Sequence, residues 1–184
     1  MEVFDTCIEG VKVIQPKVFG DSRGSFMELW NDQSLRDAGI EEEWVQDNIS
    51  TSVKGVLRGV HTQLLHPQAK IVSCMQGMIY DVAVDMRPES ATCGRWYGEL
   101  LTAENRRQMF LPKGVAHGFL TLEDAMVWMK VTTHYTPGDE IGFSWDDPAV
   151  GIDWPRIDGE LTLAEKDLMW DGFAVAMEKV KQYR

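Results

Sequence analysis

The sequence predicts an all-β fold, an antiparallel sandwich or barrel with helices only at its edges. Three observations point there. Apolar and polar residues alternate with a period of two in runs between about residues 11 and 154, turn residues separate those runs, and helical signals are confined to two short places.

Val11, Val13 and Ile14 begin the strands, since β-branched side chains suit a pleated surface. Gly24-Ser25-Phe26-Met27-Glu28-Leu29-Trp30 alternates well enough for another. Residues 34–38 read as a short helix stopped by Gly39. Within residues 71–86, Tyr80, Val82, Val84 and Met86 share one face while Asp81, Ala83 and Asp85 share the other, and Gly77 divides the run into two strands joined at a turn. Residues 126–133 form a further strand, with Val127, Met129 and Val131 on one face. Thr162-Leu163-Ala164-Glu165 reads as a capping box opening a helix that Asp171-Gly172 closes, and a last helix runs from Phe173 to about Gln182. With no repeat, low-complexity stretch or linker, residues 1–184 are expected to form a single domain with a helical C-terminal extension from about residue 162.

Composition narrows the function. An apolar share of 44% and a charged share of 26% are those of a globular protein in water. A net charge of -11 argues against nonspecific binding to nucleic acid or to an anionic membrane, although a local basic pocket still suits a phosphate. Cys7, Cys74 and Cys93 are odd in number and lack CxxC spacing, which favours reduced thiols over disulfides or a metal site. The N-terminus carries Glu2 and Asp5 and no apolar run, and no stretch approaches the ~20 apolar residues that cross a bilayer. A cytoplasmic location is expected.

The chemistry gathers at Arg58-Gly59-Val60-His61-Thr62-Gln63 and Gln68-Ala69-Lys70. An imidazole is suited to removing a proton near neutral pH, a guanidinium to holding a phosphate, and an ammonium to neutralising a developing oxyanion. Together they suit an enzyme that makes an enolate from an anionic substrate. Gly55, six positions before His61, and Pro112-Lys113-Gly114-Val115-Ala116-His117 resemble the two sequence blocks of the cupin barrel superfamily. Metal-binding cupins usually carry His-x-His plus Glu; here the second position is Gln63, a poor ligand beside imidazole, so a metal-free barrel is expected. Taken alone, His117 is more readily a core histidine bonded to a carbonyl, Lys70 a solvated strand end, Asp167 a carboxylate at a helix N-terminus, and Arg23, Arg58 and Glu28 partners in surface salt bridges.

Longer blocks narrow the resemblance. Phe19-Gly20-Asp21-Ser22-Arg23-Gly24-Ser25-Phe26-Met27-Glu28, Gln46-Asp47-Asn48, the blocks at 58–63 and 68–70, Asp81-Val82-Ala83-Val84-Asp85-Met86-Arg87, Trp145-Asp146-Asp147-Pro148 and Gly151-Ile152-Asp153-Trp154-Pro155 resemble the dTDP-4-dehydrorhamnose 3,5-epimerase family, from about Val11 to Asp167. The resemblance implies a cupin-type antiparallel jelly-roll barrel with short peripheral and C-terminal helices. It implies an epimerase that inverts C3 and C5, or C3 only, of a dTDP-linked 4-keto-6-deoxyhexose without a cofactor. His61 matches the general base, Asp167 the carboxylate that orients it, and Lys70 the enolate stabiliser. Arg23, Glu28, Gln46, Asn48, Arg58, Gln63, His117, Glu140 and Lys166 match or sit near positions that hold nucleotide and sugar, and Tyr135 resembles the aromatic that stacks on thymine. The family forms homodimers whose N-terminal strands join the partner's sheet.

Departures bear on function. Met129 stands where the family usually has a tyrosine that acts as the acid, and a thioether donates no proton. That change leaves three readings: a replacement donor, inversion of one carbon only or of a differently shaped sugar, or a nucleotide-sugar binding protein without turnover. A metal-dependent cupin enzyme is a more distant alternative. Thr62 replaces a frequent aromatic and is expected to point out of the barrel; His134 replaces another and is expected to be exposed.

Overall fold

Two long strands organise the molecule. The computed structural model describes residues 1–183. Its elements are β1 (Glu2–Asp5), β2 (Lys12–Gln15), β3 (Val18–Asp21), β4 (Gly24–Met27), α1 (Asp32–Asp37), β5 (Gln46–Ser52), β6 (Leu57–Gln63), β7 (Lys70–Asp85), β8 (Trp96–Thr102), β9 (Gln108–Leu111), β10 (Val115–Val131), β11 (Glu140–Gly142), α2 (Glu165–Leu168) and α3 (Phe173–Gln182). β7 and β10 pair antiparallel from Lys70↔Val131 to Asp85↔Val115, with register shifts between Thr121 and Val127. Beyond the shifts, β10 carries β5 on its other edge and β7 carries β9, β2 and β1; before them, β10 carries β6 and β11 and β7 carries β8. This is the antiparallel jelly roll expected, with each long strand serving both of its halves.

Gly77 marks the bend. It has φ +71°, and a Cβ there would lie 2.1 Å from the Asp124 carbonyl oxygen, so only glycine permits the approach. The turn expected there is instead a bend inside one continuous strand of 16 residues. A lone glycine in an alternating run reads the same in either case; what decides is the uninterrupted partner β10.

Three apolar clusters line the interior and cover part of the outer faces. Val72, Ile79, Ala83, Phe119 and Val127 pack in the interior. Val82, Val84, Met86 and Phe143 form a second cluster with Ala176, Met177 and Val180 of α3, and Ile14, Ile71, Phe110 and Trp128 form a third with Leu35 of α1. The face assigned to Val82, Val84 and Met86 is thus the one α3 covers, spaced at helical intervals on an amphipathic segment. The Asp147 carboxylate caps α3 by accepting the Phe173 N–H at 2.6 Å.

Other expectations need correction. β1 precedes the first strand read from sequence, because its exposed Glu2–Asp5 segment shows little apolar patterning. Strands end at Gly142 rather than near Trp154. Thr162 opens no capping box: it bridges Val56 in parallel and α2 begins at Glu165 with no side-chain cap. Thr162 accepts the Leu57 N–H and donates its own to Gly55, so pairing overrides the local signal. Among the described residues no helix is long and apolar enough to cross a membrane.

Asp85, fully buried at the end of β7, accepts hydrogen bonds from Arg87, Ser90 and Thr92. Burial alone would raise its pKa, but these bonds outweigh it and hold the carboxyl at about 2. A depressed carboxylate contributes stability above its unfolded value of 3.8 and loses it as pH falls towards 2, a change of about 2 kcal/mol. Urea unfolding should show Asp85→Asn clearly less stable than the parent at pH 6, with the gap closing in acid.

Candidate active site

A cavity of about 330 Å³ lies between the halves of the jelly roll. On one wall β5 presents Gln46, Asn48 and Ser50, β7 presents Lys70, and β10 presents Met129 and Val131. On the other β6 presents Arg58, His61 and Gln63, and the first part of β10 presents His117 and Phe119. Tyr135, Glu140, Lys166 and Asp167 complete it. Strand alternation places these groups: residues two apart on β5 share the inward face.

His61 faces this space. Its Nδ1 lies 3.7 Å from Asp167 Oδ1 and its Nε2 3.4 Å from Glu140 Oε1. Asp167 is 3% exposed, and its other oxygen accepts the Gly59 N–H at 3.3 Å. Gly59 has φ +96°, and a Cβ there would lie 2.4 Å from the His117 carbonyl oxygen, so this approach too requires glycine. His61 Nδ1 and Asp167 Oδ1 are both buried without a hydrogen-bond partner in the protein. They stand just beyond bonding distance, as catalytic pairs often do before substrate binds. The two carboxylates would favour an imidazolium, but neither bonds to the ring. Burial, then the nearby Lys166, Lys70 and His117, push its pKa down to about 3, leaving it neutral and able to accept a proton.

Lys70 is 8% exposed and makes no hydrogen bond or ion pair to a protein group among the described residues. Burial lowers its pKa to about 8, with Glu140 acting the other way. An ammonium kept unpaired against a cavity wall is costly unless something in the cavity uses it.

The remaining groups are held in place. Lys166 Nζ donates to both oxygens of Glu140 at 2.8 and 2.9 Å, and the Tyr135 hydroxyl to Glu140 at 3.4 Å. Gln46 donates to Asn48 at 2.6 Å and faces the ring of the exposed His134. Arg58 Nε donates to Ser52 at 3.0 Å.

Some residues behave otherwise than expected. The Gln63 amide is spent on the backbone: it donates to the His66 and His134 carbonyls and accepts the Thr136 N–H, fixing the segment that carries Tyr135. His117 bonds a carboxylate, Asp81, at 2.6 Å in the interior, rather than a carbonyl. Thr62, expected outside the barrel, is buried. Arg23 and Glu28 do not line this chain's cavity: Arg23 pairs with Asp21 on the exposed β3–β4 hairpin and Glu28 accepts from Asn31.

The sequence leaves two groups unread and a third read only in part. Ser50 lies two residues beyond Asn48 on the inward face, and period-two counting would have found it. Asp81 is read from sequence on the strand face opposite Val82 and Val84, without its histidine partner. Asp139 is buried and accepts the Leu65 and His66 N–H groups, which distinguishes the otherwise unremarked His66. No local signal announces it. Among the described residues no group of three His, Cys, Asp or Glu side chains could hold a metal ion.

Comparison with known proteins gives a consistent result. Residues 5–174 match the family model for dTDP-4-dehydrorhamnose 3,5-epimerase. The enzyme of that name from Methanothermobacter thermautotrophicus is 48% identical over 167 residues, 90% of either chain. A solved dTDP-6-deoxy-D-glucose-3,5-epimerase from Legionella pneumophila, in complex with dTDP-4-keto-L-rhamnose, superimposes with a TM-score of 0.93 at 40% identity, covering 97% of this chain and 96% of that one. A 3'-monoepimerase from Streptomyces bikiniensis, in complex with dTDP-quinovose, gives a TM-score of 0.87 at 31% identity, covering 97% and 98%. This chain is an isomerase that belongs to the dTDP-4-dehydrorhamnose 3,5-epimerase family.

Proposed function

We propose that the protein inverts the carbons flanking the ketone of a dTDP-linked 4-keto-6-deoxyhexose, by way of an enolate. The observation that carries this is a cavity-facing His61 backed by buried Asp167, with Lys70, which has no partner among the described residues, on the other wall. His61 takes the proton from the carbon beside the ketone. Asp167 orients the ring and steadies the imidazolium that forms, and Lys70 holds the charge that moves onto the ketone oxygen. Arg58, Gln46, Asn48, His117, Glu140 and Lys166 hold sugar and diphosphate, and Tyr135, half exposed at the rim, stacks on the base.

Arg23 and Glu28 belong to the nucleotide site only in a homodimer. The β3–β4 hairpin exposes Val18, Phe19 and Phe26, an apolar surface that a second copy would cover while bringing Arg23 towards the partner's cavity. Sedimentation that gives a monomer at micromolar concentration would remove this part. The reaction is assigned to the cytoplasm.

The test is deuterium uptake from heavy water into dTDP-4-keto-6-deoxyglucose, read at C3 and C5 separately. Uptake at both supports double inversion, uptake at C3 alone the single-carbon form, and none at either removes the reading. The rate needs neutral His61 and charged Lys70. It should therefore hold between about pH 3 and about pH 8 and fall above the latter as the ammonium is lost. Met129 favours one other reading, a nucleotide-sugar binding protein without turnover, which expects tight dTDP binding and no exchange.

A further inference from the structure

Inversion needs two protonic groups on opposite faces of the sugar: one removes a proton, and the other returns one from the far side. His61 occupies one wall. On the facing wall the cavity is lined by Gln46, Asn48, Ser50, Lys70, Met129 and Val131. Amides and an aliphatic hydroxyl are far too weak as acids to protonate carbon, and a thioether and a valine have no proton to give. Lys70 alone on that wall carries an acidic N–H. It is buried and, among the described residues, has no hydrogen-bond or ion-pair partner, so no described acceptor engages its protons. Register places it beside the thioether: Lys70 pairs with Val131, two residues along β10 from Met129, and the three side chains share the inward face. An ammonium that meets the ketone oxygen from this wall is also close to both flanking carbons, which are bonded to the same carbonyl carbon.

We propose that Lys70 is the general acid of this enzyme, delivering to the enolate carbon the proton that completes inversion, as well as holding the oxyanion. The assignment rests on the epimerase reading above. His61 takes the proton as the C–H bond breaks, and its electron pair enters the enolate as the carbonyl π pair moves to oxygen. The ketone then re-forms while a Lys70 N–H bond breaks and a C–H bond forms on the opposite face. The imidazolium returns its proton to solvent and the amine takes one back, so nothing is consumed.

The test separates exchange from inversion. Wild type, Lys70→Arg and Lys70→Arg/Met129→Tyr are each incubated with dTDP-4-keto-6-deoxyglucose in heavy water, and deuterium content and ring configuration are read by NMR. A guanidinium keeps the positive charge but does not release a proton. Lys70→Arg should still wash deuterium into the starting sugar, while inversions per exchange event fall ~10²–10⁴-fold, the worth of a positioned acid. The double variant, which returns an acid to the same wall, should regain inversion. Lys70→Arg inverting as often per exchange as wild type would overturn the proposal, as would a double variant that exchanges and still retains configuration. Absence of exchange in wild type fails the epimerase reading itself and is distinct from both.

Discussion

His61→Asn should lower kcat by ~10³-fold or more while leaving dTDP binding essentially unchanged. The asparagine fills much of the same space and keeps a polar group against Asp167, so the cavity wall survives, but an amide does not accept a proton from carbon. In the proposed function the nucleotide is held by other lining residues, Arg58, Gln46, Tyr135 and Lys166. The checks are deuterium exchange for the chemistry and calorimetric titration with dTDP for the site. Exchange at an undiminished rate in His61→Asn would remove this imidazole from the mechanism.

Lys70→Met should have two large effects of opposite sign. Loss of the only cation on its wall should abolish exchange and inversion together, at least the ~10²–10³-fold that one electrostatic stabiliser is typically worth. The same change should stabilise the fold. Burial lowers the lysine from 10.5 to about 8, so keeping it charged costs about 3 kcal/mol. That penalty is fully present below about pH 8, where the group is charged both folded and unfolded, and disappears above 10.5, where it is neutral in both. Chemical denaturation of Lys70→Met and parent should therefore diverge at pH 7 and converge in strong alkali. Equal stability at pH 7 would mean that the ammonium is better solvated than its surroundings indicate.

How legible this was in the sequence depends on the scale of the signal. α3 was readable with its approximate bounds because its apolar face repeats at helical spacing and nothing competes with it. The faces of β7 were readable because alternation there survives even with both sides covered. Where a local motif and a distant partner disagreed, the partner won: Thr162 looked like a cap but pairs with Val56, and Gly77 looked like a turn but bends a continuous ladder. In the cavity, residue type and spacing brought out His61 and Lys70, while the family resemblance pointed to Asn48 and Asp167. Gln63 shows the limit. Its inward position was evident, but three backbone groups on the 66 and 134–136 segments claim its amide, and they become neighbours only after folding.

The bend at Gly77 reaches further than its own neighbourhood. Because β7 and β10 continue through it from one half to the other, the angle between the halves sets how far apart the walls stand. Gly77 itself does not line the pocket, but it bends the strand that carries Lys70. A larger residue there would force the two long strands apart at the corner and disturb the cavity without touching either reactive group.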